Sequence, residues 1–237
     1  MAILQLIRTE LAQLADEQVK AGAQRYFKEG IQLYGIKTPV VRALSKKYYS
    51  FVKQESKENI LHYCTEFWKS GMQEEMIFAT DWAYAQRKKM VANDWALLEY
   101  WVMHYVKNWA MCDGLCNHTI GSFVEQFPER IASLKAWTQS PNIWARRAAA
   151  VTLIVPAKRG KLLNEIFDIA LLLLHDKEDL VQKGYGWMLK EAAAKHEEAV
   201  FEFVCKHKNT MPRTALRYAI EKMPKEKKAI AMAKSIV

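Results

Sequence analysis

KNWAMCDGLC (107–116), NIWARRAA (142–149) and KGYGWMLKE (183–191) are the stretches on which the fold turns. Trp109 and Asp113 stand four residues apart in the first, Arg147 follows Trp109 by 38 residues, and Trp187 follows Arg147 by 40. A period near 40 residues belongs to an array of paired helices. Residues one repeat apart in such an array project from equivalent places onto the same concave wall. A carboxylate, a guanidinium and two indoles that are distant in sequence are therefore expected in one groove.

The rest of the chain agrees with that period. Apolar residues recur at helical spacing over 2–14, 17–29, 39–51, 57–69, 73–87, 93–106 and 113–125. They do so again over 128–138, 142–155, 160–175, 178–195, 197–206, 212–222 and 225–235. No segment alternates for long enough to be a strand. Gly35 with Pro39, Gly71, Pro128, Pro141, Pro156, Pro212 and Pro224 fall between the helices as breakers. Asp94, Asp113 and Ser140 read as N-caps or first-turn residues. Fourteen helices make about seven antiparallel pairs, each needing a neighbour to bury its apolar stripe. The expected fold is all-α: a right-handed superhelical array of antiparallel helix pairs of the HEAT type. With 9 Gly, 6 Pro and no Gly-, Ser- or Pro-rich linker, it is expected to be a single domain over 1–237.

The 237 residues include eight Trp. Trp68, Trp109, Trp144 and Trp187 follow one another at 41, 35 and 43 residues, echoing the repeat. Trp68, Trp82 and Trp95 are read as core.

Lys and Arg number 35 against 26 Asp and Glu, a net charge of +9. A polyanion, nucleic acid first, is the natural partner for that balance; a solvated lysine surface is the plainer reading. Arg146, Arg147, Lys158, Arg159, Lys161, Lys183, Lys190, Lys206, Lys208, Arg213 and Arg217 crowd the second half. They form either a stripe tracking a phosphate backbone or a scattered solvated face. Cys64, Cys112, Cys116 and Cys205 show no CxxC pairing, which fits buried thiols in a reducing compartment. Cys112, Cys116 and His118 match no zinc spacing, so neither metal nor cofactor is expected. The amphipathic start MAILQLIRTELAQL has no signal-peptide pattern, and the apolar run IFDIALLLLH (166–175) is too short to span a bilayer. A soluble, cytoplasmic protein of bacterial type, without a membrane partner, is expected.

Four stretches in this order carry a resemblance: RYFKEGIQLYGIKTPVVRAL (25–44), NWAMCDGL (108–115), SPNIWARRAA (140–149) and VQKGYGWMLKE (181–191). Together they resemble the AlkD-type DNA alkylation-repair glycosylases, a family of HEAT-like repeats, over nearly the whole length. The resemblance implies a monomeric enzyme that acts on double-stranded DNA and releases purines alkylated at N3 or N7. It maps the family's active-site positions onto Trp109, Asp113, Arg147 and Trp187, and a tyrosine near the first stretch onto Tyr26. Two positions depart from the family's pattern. Asn108 stands where an aromatic often precedes the first active-site Trp, and Lys37 fills the variable place of GIxTP.

These residue types suit that chemistry. Alkylation already makes the base a good leaving group, so the remaining need is to stabilise positive charge developing on the deoxyribose. A fixed carboxylate beside C1′ does so and orients the attacking water. Asp113 fills that role if it lies one helical turn from Trp109; at a helix start it is equally a cap. Trp109 and Trp187 offer π faces to a cationic nucleotide, with core packing as the alternative. Arg147 suits phosphate oxygens, Arg146 does so from another helix face, and Lys183 and Lys190 join the basic stripe. Gly184 and Gly186 leave room for a close approach of ligand or backbone, with close helix packing as the competing reason. No general acid stands among these groups, so selectivity for bases that are already cationic is expected. A non-catalytic helical-repeat module binding DNA or a protein partner would share the fold and need none of this constellation.

Overall fold

A computed structural model describes residues 2–27 and 30–233. The described chain is all-helical, with no strand beyond a single bridge between Gln32 and Met72. It divides into two compact units, Met1–Gly114 and Leu115–Val237.

The first unit contains α1 (Ala2–Gln13), α2 (Glu17–Gln24), α3 (Thr38–Val52), α4 (Lys57–Ser70), α5 (Gln73–Ala85) and α6 (Trp95–His104), and α7 (Trp109–Leu115) starts in it. Helices α4 and α5 form its closest pair, joined by a tight turn at Gly71, whose φ of +70° favours glycine. Helix α3 also packs on α5. The core is aromatic. Phe67 and Phe78 lie 5.4 Å apart, and Phe67 meets Trp82 edge-on at 5.4 Å. The buried Trp82 indole donates to the Ser45 carbonyl at 3.1 Å, so its one polar group is satisfied.

The second unit opens with a π-helical turn, Cys116–Ile120, followed by α8 (Gly121–Gln126), α9 (Ile131–Trp137), α10 (Ile143–Val151), α11 (Ile154–Lys158) and α12 (Leu163–Leu172). Then come α13 (Asp179–Ala193), α14 (Glu197–His207), α15 (Arg213–Ala219) and α16 (Lys225–Met232). Helix α13 is the hub, packed against α10, α11, α12, α14 and most extensively α15. Its Val181, Tyr185, Met188, Leu189 and Ala192 are buried at the three- and four-residue spacing of one face.

The structure corrects several boundaries. The helix expected over 113–125 starts four residues earlier, at Trp109, because Asn108 caps it. The one expected over 142–155 is two helices, α10 and α11. Pro156 does not break the second: it sits in the first turn of α11, where a backbone N–H has no partner to lose. Asn142, not Ser140, caps α10, its side chain accepting from the Trp144 N–H at 2.9 Å. Asp94 lies directly before α6 but turns back to accept from the Val91 N–H at 2.7 Å and from Lys57 at 2.8 Å. The parts of expected helices 17–29 and 225–235 at residues 28–29 and 234–235 lie outside the described residues. Among the described residues, no helix is long and apolar enough to cross a membrane.

Candidate functional site

The segment QLYGIK (32–37) is lashed to the first turn of α5 by two consecutive buried acids. The Glu74 carboxylate accepts from the backbone N–H groups of Tyr34 at 3.0 Å, Gly35 at 2.9 Å and Ile36 at 3.0 Å. Glu75 accepts from Arg8 Nη2 at 3.0 Å and from the Tyr34 hydroxyl at 2.9 Å. Burial and then Glu75 push the Tyr34 phenol well above its usual range, and the hydrogen bond to Glu75 raises Arg8. Gly35 has φ +94°, and a Cβ there would lie 2.2 Å from the Asp16 carbonyl, so only glycine fits.

Just before this segment, the Phe27 ring stacks on Trp109 at 5.3 Å with the planes 7° apart. Trp109 is the first residue of α7. Asn108, itself buried, accepts from the Met111 N–H at 2.8 Å and donates to Gln73 Oε1 at 3.2 Å. This cap defines the helix start. Asp113 is therefore four residues into α7, one turn from Trp109 on the same side of the helix, and is half-buried. The cap alternative for Asp113 does not hold; Asn108 has that role. Asn108, which departs from the pattern expected before Trp109, is thus the cap of this helix.

In the second unit, Arg147 on α10 is only 5% exposed and donates to the Leu180 carbonyl. It lies along Gly184, where a Cβ would meet Arg147 Cγ at 3.5 Å, an ordinary contact. Gly186 is different. A Cβ there would stand 2.7 Å from both the Ala215 carbonyl oxygen and Tyr218 Cβ, so close packing of α13 on α15 is the reason for that glycine. Trp187 is half-buried, and its indole N–H donates to Glu191 Oε1 at 3.3 Å. Lys222 donates to the same oxygen at 3.0 Å, which holds the buried carboxylate in place.

The remaining expected contacts fall differently. Arg146 is engaged inside the unit by Asp176 at 2.7 Å and the Ser140 carbonyl at 2.9 Å. Lys190 is paired with Glu221 at 2.9 Å and lies 5.5 Å from the centre of the Tyr218 ring, with its side chain only 13% exposed. Both were expected to touch phosphate; both are instead committed to acids that a nucleic acid would have to displace. Lys183 is held by Asp179 at 2.6 Å, which raises its pKa, and its side chain remains 37% exposed. Tyr26 is 78% exposed in the turn after α2, and its neighbour Phe27 is the aromatic that meets Trp109. Cys112 and Cys116 are buried while His118 is exposed, and no group of three or more His, Cys, Asp or Glu able to hold a metal occurs among the described residues.

Sequence reasoning missed Phe27, Glu74, Glu75 and Glu191. Adjacent acids in a helix's first turn and an acid four residues after a tryptophan are legible signals; the Phe27 stack is a long-range contact with no local signature.

The eight tryptophans sort cleanly. Trp68, Trp82, Trp95, Trp101, Trp137 and Trp144 are buried, none more than 9% exposed. Only Trp109 and Trp187 remain half-buried. A core role thus holds for Trp68, Trp82 and Trp95.

The model of the DNA alkylation repair enzyme family matches residues 7–223, most of the chain and all the residues just described. The chain belongs to that family, whose work is the repair of alkylated DNA. A solved structure described as "Predicted DNA alkylation repair enzyme from Enterococcus faecalis" is similar in fold, with TM-score 0.78 and 20% identity over 89% of this chain and 97% of that one. No curated protein matches the sequence.

Proposed function

We propose that this chain is a DNA glycosylase that excises positively charged N3- or N7-alkylated purines from duplex DNA. One observation carries the reading: of eight tryptophans, the two left half-exposed are Trp109 and Trp187, and Asp113 stands one turn beyond the first. Half-exposed indoles with dedicated partners are suited to bind a cation, at about 0.5–2 kcal/mol per contact. The family membership supports DNA as the substrate.

In the first unit, the Asp113 carboxylate stabilises the charge that develops on the deoxyribose and accepts a hydrogen bond from the attacking water. As the C1′–N bond breaks, its electrons return to the cationic base, which leaves neutral; the water oxygen bonds to C1′ and gives up one proton to the Asp113 carboxylate, from which it passes to solvent. No proton donor to the leaving group is required. In the second unit, Trp187 offers its half-exposed indole to the DNA, and Arg147, 5% exposed and bonded to the Leu180 carbonyl, steadies the helix that carries Trp187 rather than binding a phosphate. Lys183 supports DNA binding there, and exposed Tyr26 does so in the first unit.

Successive helices that pack as neighbours within each unit, such as α4 on α5 and α13 on α14, support HEAT-like repeats. Our reading is therefore a superhelical repeat domain over 1–237, monomeric, without metal or cofactor, acting in the cytoplasm. The test is incubation of the protein with duplexes carrying N7-methylguanine or hypoxanthine. Free N7-methylguanine and intact hypoxanthine are expected. Duplex binding with no base released would leave a non-catalytic DNA-binding module in its place, and efficient release of hypoxanthine would show a proton donor where none is proposed.

A further inference from the structure

A cleft of about 420 Å³ opens in the first unit beside the start of α7. Its walls come from the turn after α4 and the residues before α7, with Gln32, Lys69, Gly71, Lys107, Asn108 and Met111 among its lining. We infer that this cleft is a second contact for DNA and holds a phosphate of the strand, apart from the Trp109 and Asp113 site. The inference rests on the DNA reading proposed above.

The chemistry of the walls points to an anion. The described lining carries two ammonium groups and no carboxylate. Lys107 is exposed and has no ion-pair partner among the described residues. Lys69 leans on Glu66 at 2.6 Å, three residues back on its own helix and at the surface, a kind of pair that contributes little and exchanges readily. The Asn108 side chain is spent on the α7 cap and on Gln73, so it does not compete for a ligand. Gly71 adds backbone without a side chain on that wall, which leaves an approach for a bulky group. The volume lies within the range of ligand-sized pockets, about 300–1,000 Å³, enough for a phosphodiester with its sugar.

Placement gives the cleft its meaning. Lys107 is two residues before Trp109, so the two Cα atoms lie within about 7 Å. A phosphate in the cleft would therefore belong to a nucleotide about one or two positions from the one that meets Trp109. Such a contact fixes the register of the strand and carries no base specificity.

The test is duplex affinity by fluorescence anisotropy across a salt series, with undamaged DNA. Wild type is compared with Lys107→Ala, Lys69→Ala, the double variant and a control, Lys88→Ala, an exposed lysine away from the cleft. Each cleft variant should weaken binding by about three- to tenfold at low salt and reduce the salt slope by about 0.9. The control should change neither, and melting curves should stay superimposable with wild type. Cleft variants that match the control would overturn the inference, whatever the excision assay shows. If wild type binds duplex in this lysine-dependent way but releases no base, the glycosylase reading fails and the cleft stands. In a parallel arm, inorganic phosphate replaces DNA in a thermal-shift assay. Stabilisation of wild type but not the double variant, with duplex affinity indifferent to both lysines, would make this a site for free phosphate and overturn the assignment to the strand.

Discussion

Trp109 and Trp187 are held in opposite ways. In the first unit, Phe27 covers one face of the Trp109 indole. That phenyl comes from the chain just before the segment that Glu74 and Glu75 tie to α5. In the second unit, Trp187 is held by its edge, through the hydrogen bond to Glu191 four residues on in the same helix. No other ring stacks on it among the described residues. The face-held indole has one π face left to offer, and its setting depends on a loop anchored from α5. The edge-held indole has no ring on either face among the described residues, and its hydrogen bond is local to α13. The first should be disturbed by changes remote in sequence, the second mainly by changes on its own helix.

The sharpest break in this comparison is Glu74→Ala. It leaves three backbone N–H groups without their acceptor, which should cost about 3–5 kcal/mol. The melting temperature should fall, and acrylamide should quench Trp109 more strongly, read in a Trp187→Phe background where the six other indoles are buried from the quencher. An unchanged melting curve would show that the loop is not held from α5.

Next comes the pair of glycines on α13. Gly186→Ala drives a methyl into the backbone of α15 and should cost about 1–3 kcal/mol in thermal unfolding. Gly184→Ala, which meets only ordinary contacts, should be neutral or stabilise by up to about 1 kcal/mol. Equal losses at the two positions would contradict the close approach of α13 and α15.

The smallest effects separate the two modes of holding. Glu191→Ala should cost about 1 kcal/mol and loosen Trp187, while Phe27→Leu should cost a similar amount and loosen Trp109. Tryptophan fluorescence quenching should rise for one indole in each variant. A Glu191→Ala protein whose Trp187 quenches as in wild type would leave the edge contact without consequence.

The helical architecture was legible because amphipathic spacing is local. The closeness of Trp109 and Asp113 was legible because residues four apart share one side of a helix. What was not legible depends on distant partners. Arg146 and Lys190 look like free cations in sequence, since their acids are 30 and 31 residues away at Asp176 and Glu221. Neither lies at the helical spacing where a pair is expected. Tyr26 and Phe27 are adjacent aromatics, and only the turn after α2 decides which of them meets Trp109. The start of α7 was missed because the apolar pattern grows clear only after Asp113, while the cap that starts the helix is a polar residue buried against Gln73.

The central claim is that Asp113 is a catalytic carboxylate, and Asp113→Asn tests it most directly because it keeps the shape and removes the charge. Single-turnover release of N7-methylguanine should fall by about 10²-fold or more, while duplex affinity stays within a few-fold of wild type and the melting curve is unchanged. A folded Asp113→Asn protein that excises the base at the wild-type rate would contradict the account.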